Sequence, residues 1–497
     1  MKNRLTLPLT LLATFLAVAA SAQTKSPSLT LHGTVTRVQQ NDYLEIPFIV
    51  PANIERLTVD FRYTGKQDHA TLDLGIRDPK RFRGWSGGNK SSFTIGIPDA
   101  TPSYLPGPIV PGRWHLLIGV ANLRPGKSAA YTANIYFTRK GEAGGTESFT
   151  DHPLSTQARW YRGDLHMHTA HSDGTCPSQS GKSVPCPLFI TVEAAVCRGL
   201  DFIAITDHNT ISHLNDEREL QPYFDHLLFI PGREVTTYSG HANVFGTTDF
   251  VDFELGTARA PDMNSIFREA HRLGALASIN HPADPTGEMC MGCGWSPKHF
   301  DMRLADAVEA VNGGDSQDPF NNVGFWRRQL NAGLRLPAIG GSDNHRPEAP
   351  PQVHDFPGNP TTVVYATELS VPAILTAIRQ GHVFIDTTDS RNRLLEVTAT
   401  ANGQTAHMGD LLNAPAGTTL ALTIHTAACE GSKVEFLLDG KTTEALPQQS
   451  IDATDKTIQA TWPSDGAQHW LETDVLTPEG KLQLLGNPIY LNWKSNP

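Results

Sequence analysis

Beyond residue 22, no stretch of this chain approaches the roughly 20 uninterrupted apolar residues that a membrane helix needs, so no internal segment is expected to cross a bilayer. A positive surplus is missing too. Forty Lys and Arg face 51 Asp and Glu, and the formal charge of −11 argues against nucleic acid as a stable partner. There is no internal repeat and no low-complexity tract, which sets aside solenoids and disordered arrays. What is present is a globular composition, 39% hydrophobic, in 497 residues, a length that suits about three domains.

Residues 1–22 read as a secretory signal peptide. "MKNR" supplies positive charge, "LTLPLTLLATFLAVAA" an apolar run, and "ASAQ" small residues for cleavage after Ala22. A retained anchor helix is the alternative, disfavoured by the short run and Pro8. No cysteine stands at the cleavage site, so a lipid anchor is not indicated. Loss of Lys2 and Arg4 takes the charge from −11 to −13. The protein is expected to be exported, to a periplasm or the outside. In an oxidising compartment Cys176, Cys186, Cys290 and Cys293 are expected to form two disulfides, with the pairing open. A structural zinc on the same four thiolates is the alternative. Cys197 and Cys429 are expected to be buried thiols.

Patterning divides the mature chain. Residues 23–140 hold alternating runs such as "LTVDFRYT", "SSFTIGI" and "RWHLLIGV" between Gly, Pro and Asp turns, the mark of a β-sandwich. Within it, Phe82 and Trp85 of "RFRGWSGGNK" are expected at a domain interface, with an exposed binding role as the alternative. Residues 141–157 show no periodic apolar face and read as a linker. From 158 to 390, strand-like runs ("DFIAIT", "HLLFIPG", "ALASIN", "DAVEAVN", "RLPAIGG") alternate with helical ones ("MNSIFREAHRLG", "NNVGFWRRQLNAG", "SVPAILTAIRQG"). That order predicts parallel strands closed into a barrel. Residues 391–497 return to all-β patterning, a second, Ig-like sandwich.

In the middle region, metal-ligand residue types follow the strand ends. "DLHMH" sends His166 and His168 to one side of an extended chain while Leu165 and Met167 face apolar packing. Asp173 follows closely. His208 ends "DFIAITDH", Glu234 follows "LLFIPGR", His241 lies in "SGHANVFG", His281 ends "ALASINH", and Asp343 and His345 end "LPAIGGSDNH". Taken singly, each has a bland reading as a turn or a hydrogen-bonded pair. Jointly, nine nitrogen and carboxylate donors exceed the three or four that one zinc-like ion uses. With one carboxylate bridging, they suit two or three divalent ions, and the absence of thiolate favours Zn, Mn or Fe.

The ordered set "DLHMHTAHSDG", "AITDHNT", "PGREVTT", "GHANVFG", "INHP" and "GSDNH" resembles the successive motifs of the PHP (polymerase and histidinol phosphatase) superfamily, over residues 158–390. The resemblance implies a distorted (β/α)7 barrel with a trinuclear site. One ion would take His166, His168, Asp343 and a bridging Glu234. A second would share Glu234 with His241 and His281, and a third would take Asp173, His208 and His345. "IPFIVP", "LDLGIRDP" and "FRGWSGG" are similar to the exported branch named for a carbaryl-hydrolysing member. Amidohydrolase barrels also begin with "HxH", but they use a bridging lysine where this chain has Glu234. A non-catalytic envelope-polymer module would be marked by lost ligands, and none is missing.

Three divalent ions against three carboxylates leave a net charge of about +3 facing the pocket, which favours an anionic, small-molecule or polymer-derived phosphate ester attacked by a metal-activated hydroxide. A carbamate or carboxylic ester is the alternative substrate. Arg233 and Arg346 are candidates to grip phosphate, each with salt bridging as the alternative. His171, Asp207 and Asn344 are candidate orienting residues, and His171 a candidate leaving-group acid. The insertion at 284–300, "CMGCGWSPKHF" included, is expected to rim the pocket.

Overall fold

The computed structural model describes residues 26–139, 146–288, 290–313, 322–348, 356–388 and 390–494. The signal peptide expected at 1–22 and residues 140–145, where the expected linker begins, lie outside these residues.

The alternating N-terminal runs form two four-stranded antiparallel sheets. One orders Leu29–Thr36, Ser128–Arg139, Ile54–Tyr63 and Ser92–Gly96. The other orders Tyr43–Val50, Gly112–Asn122, Thr71–Arg77 and Phe82–Gly87. Alternate residues of both sheets, among them Val59, Ile135, Leu74 and Trp114, meet in one closed core. Trp85, expected at a domain interface, packs within its own sheet. Its ring lies over Gly75 and Gly119 of its own sheet, beside Tyr43, because two facing glycines leave room there for an indole. Phe82 is exposed on the same strand.

The middle region carries five α-helices among the described residues: α1 (Leu188–Cys197), α2 (His213–Leu220), α3 (Met263–Arg272), α4 (Asn322–Asn331) and α5 (Val371–Gln380). Helix α3 starts where Asp262 accepts the amide of Ser265, and α5 starts on Ser370 and stops at Gly381 with φ +76°. Their apolar faces, with Phe267 and Ile374 at the centre, cover the sheets.

Those sheets form two arcs. Arg159–Asp164, Phe202–Ile203 and Leu228–Phe229 run parallel, as do Leu276–Ile279, Ala307–Asn312 and Ala338–Gly341. The expectation of parallel strands throughout is corrected at several points. Gly232–Thr237 and Gly240–Phe245 form an antiparallel hairpin, since two residues between them cannot make a crossover. Gly240–Phe245 also runs antiparallel to Leu276–Ile279, and Thr361–Ala366 runs antiparallel to both Arg159–Asp164 and Val383–Asp386. Single bridges, Met167 to Asn344 and His208 to Glu234, connect the arcs at one end. The ladders thus show a mixed α/β protein, mostly sheet with few helices.

After residue 390 a four-stranded sheet (Gln404–His407, Leu394–Ala401, Thr419–Ala427, Asp455–Pro463) faces strands that continue the first arc. Val383–Asp386 pairs with Leu482–Gly486, and the ladder runs on through His469–Leu476 and Lys433–Leu438. One face of this extension packs on its sister sheet. The other packs on α4, where Trp470 donates to Asn331 at 3.1 Å and Arg327 meets Glu472 and Asp474 at 2.5 and 2.8 Å. At the other end, Asp99 of the N-terminal region is buried between Arg56 of its own sheet and Arg218 of α2.

The cysteines pair as Cys176–Cys186, across the small hairpin Thr175–Pro177/Ser183–Pro185, and Cys290–Cys293. The four do not meet at one point as a structural zinc would require. Cys429 is buried, but Cys197 is exposed: it is the last residue of α1, where the helix has turned its apolar face away.

Candidate metal centre

The site is assembled from strand ends that the two bridges bring together. Arg159–Asp164 stops two residues before His166, and the chain beyond it is held by the bridge of Met167 to Asn344. Leu165 and Met167 are buried in separate apolar clusters, so His166 and His168 share the opposite side. Asp164, fully buried, ties this segment to the "GGSDNH" end. It accepts the amides of His166 at 3.2 Å, Ser342 at 3.0 Å and Gly358 at 2.7 Å. Burial lifts its carboxyl to about 6 against those hydrogen bonds. His281 and Asp343 sit at φ +26° and +52°, a left-handed backbone that L-residues adopt only where the surroundings enforce it.

Glu234 lies at the centre. Its Oε1 stands 3.1 Å from His241 Nδ1, 3.4 Å from His281 Nε2 and 3.0 Å from the donating amide of Asn280. Its Oε2 stands 2.7 Å from His208 Nδ1, 3.5 Å from His166 Nε2 and 3.7 Å from His168 Nε2. Asp343 Oδ1 lies 3.0 Å from His168 Nε2 and 3.4 Å from His166 Nε2. Asp173 Oδ1 closes the far side, 3.2 Å from His345 Nε2 and 3.6 Å from His208 Nε2. The ring of His168 stacks between those of His208 and His345, at 4.3 and 4.1 Å. All nine strand-end residues therefore fall in one connected cluster.

Electrostatics make it a cation trap. Glu234 and Asp343 are held far below the ordinary carboxylate range: burial alone would raise them, but the surrounding imidazoles outweigh it. Burial opposes charge on His166, His281 and His345 as well. Nearby carboxylates nevertheless raise His166 well above its ordinary value and His281 and His345 to about 9. His168 goes the other way, to about 4, through burial and the neighbouring His345 and His208. Carboxylates and most of the imidazoles around them thus favour each other's charged forms.

The donors fit such ions. Four overlapping groups have ligand atoms within 4.8 Å of one another: His168, Asp173, His208 and His345; His166, His168 and Asp343; His166, Glu234 and His281; and His241, His281 and Cys293. His166 Nε2, His168 Nδ1, His241 Nε2 and His281 Nδ1 are buried with no hydrogen-bond partner, a costly state for imidazole unless something else is bound.

Four supporting residues escape a sequence reading. Glu309 stands 3.0 Å from His166 Nδ1 and accepts the His281 amide at 3.0 Å. By holding Nδ1, it turns Nε2 of His166 into the cluster. A lone carboxylate inside the apolar strand "DAVEAVN" was its available signal. Thr236 lies 2.6 Å from His208 Nδ1, Asn312 donates to Glu309 at 3.1 Å, and Cys293 joins His241 and His281. Space is tight here. A Cβ on Gly341 would run into Glu309 and His166.

The remaining candidates divide. Arg233 is a correction. As neighbour to Glu234 in a strand it faces the other way, its guanidinium 4.8 Å from the Phe250 ring centre. His171 is turned from the cluster, its nitrogens 2.8 Å from Ser212 Oγ and 3.0 Å from Asp216. Asp207, buried, accepts the amide and hydroxyl of Thr169 at 2.7 and 2.6 Å and the hydroxyl of Ser172, shaping the loop that carries Asp173. Asn344 is buried, and its carbonyl accepts the His168 amide at 2.8 Å. Arg346 is exposed beside His345. The 284–300 insertion packs against the 237–240 turn, with the Ser296 amide on the Ser239 carbonyl at 2.8 Å and Trp295 over Gly240.

No family model matches the chain. It is 29% identical over 164 residues to an uncharacterised protein of Methanocaldococcus jannaschii, covering 33% of this chain and 88% of that one. A solved two-domain protein of Bacteroides vulgatus ATCC 8482, described as containing a predicted PHP-like metal-dependent phosphoesterase, is 18% identical. It covers 70% of this chain and 97% of its own, with a TM-score of 0.37. Among the described residues, no helix is long and apolar enough to cross a membrane.

Proposed function

We propose that this chain is an exported PHP-type metallohydrolase of the carbaryl-hydrolase-like branch that cleaves phosphate esters, its two arcs being the distorted barrel of that superfamily. The observation that carries the reading is Glu234, a buried carboxylate whose two oxygens each face a different set of histidines. A bridging carboxylate between ions has that form. Two or three Zn, Mn or Fe ions bound here would lower the pKa of water and hold the non-bridging oxygens of a phosphate.

The chain's own residues prepare this. Glu309 and the Asp343 carbonyl engage Nδ1 of His166 and His345, leaving each Nε2 to face the cluster. Asp207 holds the Thr169–Ser172 turn in place, and the Cys176–Cys186 hairpin steadies it: Thr175 donates to the His345 carbonyl and Ala170 to that of Cys186, at 2.7 and 2.8 Å. Arg346, exposed next to His345 in sequence, is the candidate to meet outer phosphate oxygens.

Metal content and turnover of a phosphodiester, a phosphomonoester and an aryl carbamate, with and without chelator, test this. Phosphate-ester turnover lost on chelation supports the reading, and carbamate turnover alone overturns it. Glu234→Gln should lose bound metal and at least about a thousandfold of activity.

A further inference from the structure

Cys293 lies where no motif requires a thiol. Its side chain is 4% exposed, and Sγ shares a 4.8 Å sphere with ligand atoms of His241 and His281, themselves 4% and 2% exposed. Each of those imidazoles keeps one nitrogen without a hydrogen-bond partner. Cys290, the partner in its disulfide, is half-buried and next to Met291, which is 69% exposed. One sulfur of the pair thus lies among the buried histidines, and the other belongs to the less buried residue. The loop is held in that pose by Gly292 at φ +89° against the Thr237 carbonyl and by the Trp295 amide on Pro282 at 3.0 Å.

We propose that Cys293, in the dithiol form, is a thiolate ligand for the ion held by His241 and His281, and that the Cys290–Cys293 disulfide withdraws it. The inference rests on the metal-centre reading above. A disulfide sulfur is neutral and a poor donor, whereas a thiolate is a strong ligand for zinc-like ions. Reduction is by exchange with an external thiol. Its thiolate attacks Cys290 Sγ, the bond to Cys293 breaks, and Cys293 leaves as the thiolate that the ion takes. A second external thiolate resolves the mixed disulfide, leaving Cys290 as a thiol and the two external thiols joined as a disulfide. Re-oxidation by a disulfide-bearing oxidant reverses both steps. The ion nearest the insertion is therefore the one whose occupancy follows the redox state.

Cobalt(II) added to the metal-stripped mature protein is the probe, with a phosphine as reductant so that no added thiol binds the metal. Reduced wild type should show a sulfur-to-cobalt charge-transfer band that oxidised wild type lacks. Cys290→Ser should show the band without reductant, and Cys293→Ser in neither state. The ion that gives the band should bind roughly tenfold tighter in the reduced protein and in Cys290→Ser than cobalt binds to Cys293→Ser at the same His241–His281 position. Cobalt bound with no such band in both reduced wild type and Cys290→Ser overturns the thiolate ligand and leaves the histidine–carboxylate centre standing. Failure of any form to bind cobalt overturns both.

Discussion

The two all-β regions are attached to the middle of the molecule by different means. The N-terminal pair of sheets closes on its own core and, among the described residues, shares no ladder with the middle region. Among the described residues its links run through side chains: Asp99 between Arg56 and Arg218, Arg56 donating to Thr248 at 2.8 Å, and the Ala100 amide on the Asn215 side chain at 3.1 Å. The C-terminal region is joined by backbone. Its strand Leu482–Gly486 extends the ladder of Val383–Asp386, and Asn487 bonds Ala338 on the neighbouring arc at 2.8 Å. One region is docked and the other is woven in. Side-chain contacts can be lost one at a time, whereas a missing central strand leaves a row of backbone groups unpaired.

Truncation should expose this contrast most strongly. A chain ending at residue 390 leaves Val383–Asp386 as a bare edge and uncovers α4, and is expected to aggregate. A chain beginning at 146 should stay soluble and keep its metal content, read by gel filtration and metal analysis. The reverse result would abolish the distinction. Next in size, Arg327→Met leaves Glu472 and Asp474 buried with no cation, a loss on the order of 3–5 kcal/mol seen as a lower Tm of the whole middle and C-terminal unit. Asp99→Asn should cost less, on the order of 2 kcal/mol, because Arg56 keeps Glu147 at 3.6 Å. Calorimetry should then show the N-terminal sheets melting apart from the rest.

The smallest effect is a pH dependence. Burial would raise the Asp99 carboxyl, but Arg56 and Arg218 outweigh it, so its folded-state value lies below the ordinary one near 3.8. Stabilisation from a depressed carboxyl is complete above the unfolded value and disappears as pH falls through the folded one. Docking should hold from neutrality down to about pH 4 and weaken below it, and Asp99→Asn should remove that acid limb. Limited proteolysis after Arg139 across this range would register it.

Legibility followed whether a residue's role was local. The strand-end positions of His166, His168, His208, His281, Asp343 and His345 could be read because apolar runs announce where a strand stops. Glu309 could not be assigned to His166, 143 residues away, because no local pattern encodes a partner across two arcs. Arg233 was misjudged by sequence adjacency, although strand alternation already sets it opposite to Glu234. The antiparallel hairpin 232–245 was hidden inside runs that resemble parallel strands. Cys197 falls in the helical run "TVEAAVCRGL" and is expected to be buried, but its place at the end of α1 exposes it.

By itself the sequence determined where residue types suited to metal ligation fall, which runs become strands or helices, and that the flanks are β-rich, since these depend on residue type and period within a few positions. Tertiary structure alone decided which sheet continues into which, how the cysteines pair, and that Glu234 offers one oxygen to each of two histidine sets. Those outcomes depend on distances between segments far apart in the chain, set by packing of the whole.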